Sequence, residues 1–288
     1  MSPSSTDHTY TSNRCPLVSV ILPTYNRCQI IERSIKSIFE QTYRNLEMVI
    51  VNDGSSDGTP IVLERLMILD DRMKVVNNPY RMGLPASRNK GVSFSSGSLI
   101  FFSEDDLILD NNCISILVNS LRSLDRMNGQ VAAVGPRLIT FPQLRSNKQR
   151  YVVSISPITR DIYCNFELDI DQSVDVELLH SCSLIRRSAL LSVGGFESRL
   201  YKGSYSREET DFYFRLRRKG YSLFFEPHAI AYHYSGGLGG CILPSKLSGE
   251  YYNVRNHLMY SVRFYGISAL LVFPAFIGAY LIRKWRGC

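Results

Sequence analysis

The chain has 288 residues, 44% hydrophobic and 20% charged, an ordinary globular composition with material for one large core or two modest ones. Its 33 basic and 26 acidic residues give a formal charge of +7, too mild an excess to predict nucleic-acid binding. No acid follows Glu250, whereas Arg255, Arg263, Arg283, Lys284 and Arg286 do, so the excess gathers at the C-terminal end, where it suits anionic lipid better than DNA.

Residues 1–14 are polar, without the apolar core of a signal peptide, and are expected to be a flexible lead-in. The seven cysteines form no CxxC pair, which argues against a disulfide framework or zinc site and fits a reducing compartment. Val18 to Leu22, an apolar run between Pro16 and Pro23, predicts a buried strand. Ile31, Ile35, Ile38 and Phe39 recur at helical spacing between residues 29 and 41. Met48 to Val51 predicts a second strand, followed by the turn-rich DGSSDG. Thr59 then suits an N-cap and Pro60 a first helical position, opening a helix to about Leu69. Lys74 to Val76 predicts a third strand, Ala86 to Ser95 a helix, and Leu99 to Phe102 a fourth strand. This alternation is the signature of a mostly parallel sheet flanked by helices, an α/β fold. Between about residues 141 and 175 the pattern blurs into an expected loop-rich insertion.

The fourth strand runs into Glu104, Asp105 and Asp106. Adjacent carboxylates repel one another and are costly to desolvate unpaired, so they call for a cation, a ligand or solvent. Asp53 also directly follows a strand, so both acidic sites are expected on one rim, where such sheets bind ligands. No GxGxxG follows the first strand and no GxxxxGK[ST] occurs, so neither a Rossmann dinucleotide site nor a P-loop is supported.

VSVILPTYNR at 18–27, VIVNDGSSDGT at 49–59, GLPASRNKGV at 83–92 and the acidic strand end at 101–106 together resemble the family 2 glycosyltransferases. REETDFYFRLRRKGY at 207–221 and PHAIAYHYSGG at 227–237 are similar to that family's later motifs, in the expected order. The resemblance implies a GT-A fold over about residues 15–240 and inverting transfer from a nucleotide-diphosphate sugar, UDP-type favoured. The implied acceptor is a hydroxyl on a lipid-linked or cell-surface glycan. By the resemblance, Pro23 and Tyr25 cradle the base and Asp53 accepts from base or ribose. Arg88 either pairs with a nucleotide phosphate or holds the acids at 104–106. Asp106 is assigned to Mg²⁺ or Mn²⁺, and Asp105 to the ribose or a metal-bound water. Glu104 is a ligand or a spectator, because SEDD departs from the usual DxD. A divalent cation lets carboxylates approach a diphosphate. His233 is assigned to the metal or diphosphate, against the ordinary reading of a structural histidine. Of the acidic pair Glu208 and Glu209, the second aligns with the base. Asp211 positions the helix or an acceptor group. Helix-start acids favoured by the dipole are the plainer reading of these residues.

From Phe264 to Ile282 runs an uncharged segment interrupted by Gly266, Pro274 and Gly278, with Tyr260, Tyr265, Tyr280 and Trp285 near its ends. Residues 241–288 are therefore expected to be helical and membrane-associated, lying in the cytoplasmic leaflet rather than spanning cleanly, since spanning would carry the basic end outward. The alternatives to a glycosyltransferase are a sugar-phosphate nucleotidyltransferase, disfavoured by the Gly-free LPTYNRCQ loop, and a non-catalytic nucleotide-sugar-binding scaffold.

Overall fold

The computed structural model describes residues 15–141, 150–234 and 245–285. The expected lead-in and the expected domain boundary near residue 240 lie outside them. The first half alternates strand and helix as β1 (Val18–Thr24), α1 (Ile31–Phe39), β2 (Leu46–Asn52), α2 (Thr59–Leu69), β3 (Met73–Asn77), α3 (Leu84–Ser93) and β4 (Leu99–Phe102). Every residue of β1, β2 and β4 is buried, which is why these strands read as continuous apolar runs rather than as alternation. The helix at 59 starts one residue earlier than its composition suggests. Asp57 Oδ1 accepts the Thr59 N–H at 2.9 Å, while the Thr59 hydroxyl accepts the Arg27 N–H at 2.8 Å.

β5 (Leu107–Leu109), α4 (Cys113–Asn128) and β6 (Val131–Phe141) follow, then the short strands β7 (Val153–Ile155), β8 (Ile162–Cys164) and β9 (Val174–Asp175). β10 (Ser183–Arg186), α5 (Arg187–Ser192), α6 (Glu208–Arg218) and β11 (Ser222–Tyr234) complete the sheet region. The main sheet runs β3-β2-β1-β4-β10-β6-β11-β5, with β9 added against β11. β3, β2, β1 and β4 are parallel. β10 enters reversed against both β4 and β6, β6 and β11 are parallel, and β5 and β9 run antiparallel to β11. The parallel expectation therefore describes the first half, and the second half is mixed. The supposed loop region at 141–175 contains a β7–β8 hairpin and the edge strand β9. Strand order reverses at β1, whose neighbours β2 and β4 carry the chain to opposite sides, so the ends of β1 and β4 form a switch point.

Two apolar clusters cover the two faces of the sheet, one around α1, α2 and α4 and the other around α3, α5 and α6. A third, built on Tyr201, Tyr260 and Phe264, joins the sheet domain to α7 (Lys246–Tyr265). Gly266, at φ 66°, breaks the chain before α8 (Ser268–Trp285), so the uncharged segment divides between two helices. The described basic residues of the C-terminal end are engaged within the protein. Arg263 pairs with Asp211 and Glu197, Arg283 with Asp161 and Lys284 with Glu250, while Arg255 donates to the Leu200 carbonyl. Arg286 lies outside the described residues.

Candidate active site

The loop after β1 is organised by the loop after β2. Asn26 and Arg27 N–H donate to the Ser55 and Thr59 hydroxyls, and Cys28 N–H donates to Asp57 Oδ2. The Asn26 side chain answers by accepting the Ser56 N–H at 2.8 Å. The polar residues of NDGSSDGT thus satisfy backbone donors that the TYNRC loop would otherwise leave unpaired. Gly54, at φ 74°, is required: a Cβ there would lie 2.7 Å from the Tyr80 carbonyl carbon. That close approach lets Asp53 accept the Met82 and Gly83 N–H groups, each at 2.8 Å, and the Asn78 amide at 2.7 Å. The Asp53 carboxylate, expected to accept from base or ribose, already accepts these three hydrogen bonds from the protein. It fixes the 78–83 turn while lining the cleft.

That cleft opens at the switch point. Pro23, Thr24, Tyr25 and Arg27 line it from the end of β1, Asp53 from the end of β2, and Glu104, Asp105 and Asp106 from the end of β4. Arg81, Leu84 and Tyr205 complete the wall, with the Arg81 guanidinium 4.3 Å from the centroid of the Tyr25 ring. Arg27, Thr24, Arg81 and Tyr205 were not singled out in the sequence. Arg27 had a usable signal, as a cation two residues beyond Tyr25 in the same motif. Its Nε lies 3.2 Å from Asp105 Oδ1 and its Nη2 3.4 Å from Asp106 Oδ2. Burial pushes the Asp105 carboxyl up to about 7, reinforced by Asp106 and Glu104 and opposed by Arg27. Burial also works against ionising Asp106, but His233 and Arg27 outweigh it and hold that carboxyl below the usual range. His233 Nε2 lies 3.7 Å from Asp106 Oδ1, and the Asp106 carboxylate raises the imidazole above its ordinary value.

Glu104, Asp106 and His233 each present one ligand atom, all within 4.8 Å of one another. Two carboxylates and an imidazole are a donor set that fits Mn²⁺ or Mg²⁺, with further positions open to water or phosphate. Glu104 is oriented by the Ser181 hydroxyl, which donates to it at 2.6 Å. The fold thus gathers Pro23, Tyr25, Asp53, Glu104, Asp105, Asp106 and His233 at one rim.

Arg88, expected either to pair with a nucleotide phosphate or to hold the acids at 104–106, faces one of those acids, Glu104. It is fully buried in α3 and does not line the cleft. Its guanidinium pairs with Glu208, lies 3.2 Å from Glu209 Oε1 and 3.4 Å from Glu104 Oε1, and packs 5.1 Å from the Phe196 ring centroid. One cation thereby ties the start of α6 to the acidic end of β4. Burial, together with Glu209 and Glu104 and against Arg88, pushes the Glu208 carboxyl up. Glu208 is 2% exposed, whereas the Glu209 side chain is 30% exposed, so the second acid is the accessible one. Asp211 is wholly buried away from the cleft. It accepts from Arg215, from the Tyr201 hydroxyl at 3.0 Å and from Arg263 of α7 at 2.9 Å.

Comparison with known proteins agrees with this architecture. The model of the family described as glycosyl transferase family 2 matches residues 19–194. The GalNAc(5)-diNAcBac-PP-undecaprenol β-1,3-glucosyltransferase of Campylobacter jejuni is 38% identical over 104 residues, 36% of this chain and 34% of that protein. The Escherichia coli UDP-Glc:α-D-GlcNAc-diphosphoundecaprenol β-1,3-glucosyltransferase WfgD is 32% identical over 144 residues, 46% of this chain and 56% of that one. The chain thus spans about a third to just over half the length of these curated relatives. Among solved structures, the mannosyltransferase PcManGT of Pyrobaculum calidifontis with GDP-Man and Mn²⁺ superposes at a TM-score of 0.57 and 16% identity. That match covers 94% of this chain and 76% of PcManGT. GalNAc-T7 with UDP, GalNAc and Mn²⁺ superposes at 0.64 and 16% identity, over 78% of this chain and 45% of that one. These likenesses establish a GT-A fold. With well over half of its length inside the matching model, the chain belongs to glycosyl transferase family 2.

Proposed function

We propose that this protein is a metal-dependent, inverting glycosyltransferase. It moves a sugar from a nucleoside-diphosphate sugar, UDP-type favoured, to a hydroxyl of a lipid-linked or cell-surface glycan. The observation that carries the reading is the arrangement around Arg88. Glu209 and Glu104 lie within 3.4 Å of the same guanidinium nitrogen, so the accessible acid of α6 stands beside the Glu104–Asp106–His233 set. Glu209 accepts the proton of the acceptor hydroxyl as its oxygen forms a bond to the anomeric carbon. The bond from that carbon to the diphosphate oxygen breaks on the opposite face. Mn²⁺ or Mg²⁺ held by Glu104, Asp106 and His233 would supply positive charge against the diphosphate. Pro23 and Tyr25 flank the base, and Asp105 faces the ribose. Asp53 acts by holding the 78–83 turn that forms the wall of the cleft. WfgD is named for UDP-Glc and a diphosphoundecaprenol-linked acceptor, which makes UDP-glucose the first donor to test.

The cytoplasmic face of a membrane is the proposed place of action. Ile267, just before α8, and Leu271, Pro274, Gly278, Ile282 and Trp285 within it recur every three or four residues and are all exposed, an apolar stripe suited to a bilayer surface. α8 is long and apolar enough to cross a membrane. However, Arg283 and Lys284 bind it at its end to Asp161 and to Glu250 of α7, which favours lying along the surface.

The test is a thermal-shift titration of the full chain with UDP, dTDP, GDP and CDP, each with Mn²⁺, Mg²⁺ or chelator, beside Asp106→Ala. Stabilisation by a diphosphate only with metal, and lost in the variant, is the expected result. A folded protein that responds to none of them would overturn the reading.

A further inference from the structure

Asp161 is a buried acid outside the cleft that faces arginines from two different elements. The tight turn between β7 and β8 presents it: Ser156 N–H donates to the Asp161 carbonyl at 2.8 Å, and Arg160 N–H to the Ser156 carbonyl at 3.0 Å. Asp161 Oδ1 accepts the Ile162 N–H and the Arg207 guanidinium, each at 3.0 Å, and Oδ2 pairs with Arg283 near the end of α8.

Arg207 is the residue immediately before Glu208. Its backbone stands at φ 75°, ψ −2°, a left-handed conformation that a bulky side chain adopts only when its surroundings impose it. Its carbonyl accepts the Asp211 N–H at 2.9 Å and so closes the first turn of α6. The ion pair with Asp161 therefore restrains the one backbone position that sets the direction in which Glu208 and Glu209 leave the loop. The same carboxylate is shared with α8. Arg283 also donates to the Tyr163 hydroxyl at 2.7 Å, so α8 grips the hairpin at the end of its turn and within β8.

We infer that Asp161 is a positioning residue for the start of α6, acting through Arg207, and that α8 reinforces it through Arg283. The inference concerns how the chain holds Glu209. Only its activity arm rests on the reading of Glu209 as the base.

The test compares Asp161→Asn, Arg283→Gln and the double variant in the full chain by hydrogen exchange over residues 205–211. Three further readouts are the melting temperature, the affinity for UDP with Mn²⁺, and turnover of UDP-glucose with GlcNAc-diphosphoundecaprenol. Asp161→Asn is expected to speed exchange over 205–211 at least tenfold and Arg283→Gln at least threefold. The double variant should match Asp161→Asn alone, because both changes act on one pair of contacts. Turnover should fall in the same order while affinity for UDP stays within twofold, a split that general unfolding would not give. Unchanged exchange in Arg283→Gln and Asp161→Asn would overturn the inference, as would additive effects or equal losses of turnover and UDP affinity. If Asp161→Asn fails to fold, Arg283→Gln decides alone: unchanged exchange over 205–211 overturns the inference, and a threefold rise supports it. If the wild type shows no turnover, the proposed function is in question while the exchange comparison still decides this one.

Discussion

Arg88 is one buried cation facing Glu104, Glu208 and Glu209, so its pocket cannot hold three ionised carboxylates in balance. The raised Glu208 carboxyl is the physical answer, because sharing a proton there leaves two charges near one guanidinium. Replacing Glu208 by Gln copies its protonated shape and is expected to cost under about 1.5 kcal/mol. Arg88→Met leaves buried acids uncompensated and should cost about 3–5 kcal/mol. Urea unfolding of the two variants checks the contrast, and equal losses would sink the account. Glu209→Gln should leave UDP and Mn²⁺ binding intact while turnover falls about 10²–10⁴-fold, measured by UDP release. The acids at 104–106, Asp53 and the pair at 208–209 were legible in the sequence because each follows a strand or opens a motif. Their partners were not. Nothing in ASRNKG marks Arg88 as fully buried, and the hydrogen bonds that engage Asp53 come from residues 78–83, whose approach depends on the φ of Gly54.

Elements were legible where burial is uniform. β1, β2 and β4 are covered on both faces and stand out as apolar runs, whereas β7, β8 and β9 have two or three residues each, part-exposed, and take their shape from the strands beside them. α7 falls within the segment expected to be helical, but its bounds and inward face were not legible: that face is Asn256, His257, Tyr260 and Ser261 as well as Phe264, so no apolar stripe marks it. His257 is the element's sensitive point. Its ring stacks on Phe276 of α8 at 3.7 Å, and its Nε2 lies 3.2 Å from the Thr159 carbonyl in the β7–β8 turn. Burial, helped by Arg207, lowers its pKa to about 4 from the ordinary 6.5. The unfolded chain therefore binds the extra proton first as pH falls. The contribution of His257 to stability is whole above about pH 6.5 and is lost progressively down to about pH 4. A shift of that size corresponds to roughly 2–4 kcal/mol. His257→Gln keeps a hydrogen-bond donor and cannot titrate, so the wild type's melting-temperature advantage should shrink steadily from pH 7 to pH 4.5. An advantage that stays constant across that window would show that the buried imidazole is not the group titrating.

At the scale of the whole molecule, the sequence and the fold assign the positive charge differently. Read along the chain, the acid-free stretch after Glu250 suggests electrostatic attraction to lipid. Folded, Arg263, Arg283 and Lys284 are ion-paired internally with Asp211, Glu197, Asp161 and Glu250, because α7 and α8 fold back onto acids that lie far away in sequence. Among the described residues from 267 to 285, the most exposed large side chains are apolar: Ile267, Leu271 and Trp285 are each more than 80% exposed. Binding to a bilayer should therefore follow apolar area rather than charge. The full chain is expected to float with vesicles of neutral phosphatidylcholine, and adding anionic lipid should strengthen this only modestly. Raising salt from 0.1 to 0.5 M, which shortens the screening length well below 10 Å, should release little protein. Leu271→Asp with Ile282→Asp removes two apolar contacts worth about 1.5–3 kcal/mol each on full burial and places charge in the same stripe, so partitioning should fall at least about 100-fold. Neither residue contributes to the buried core clusters, so the melting temperature in solution should hardly move. Binding that is abolished by 0.5 M salt and indifferent to the double substitution would return the membrane contact to the basic residues and leave the α8 stripe without a role.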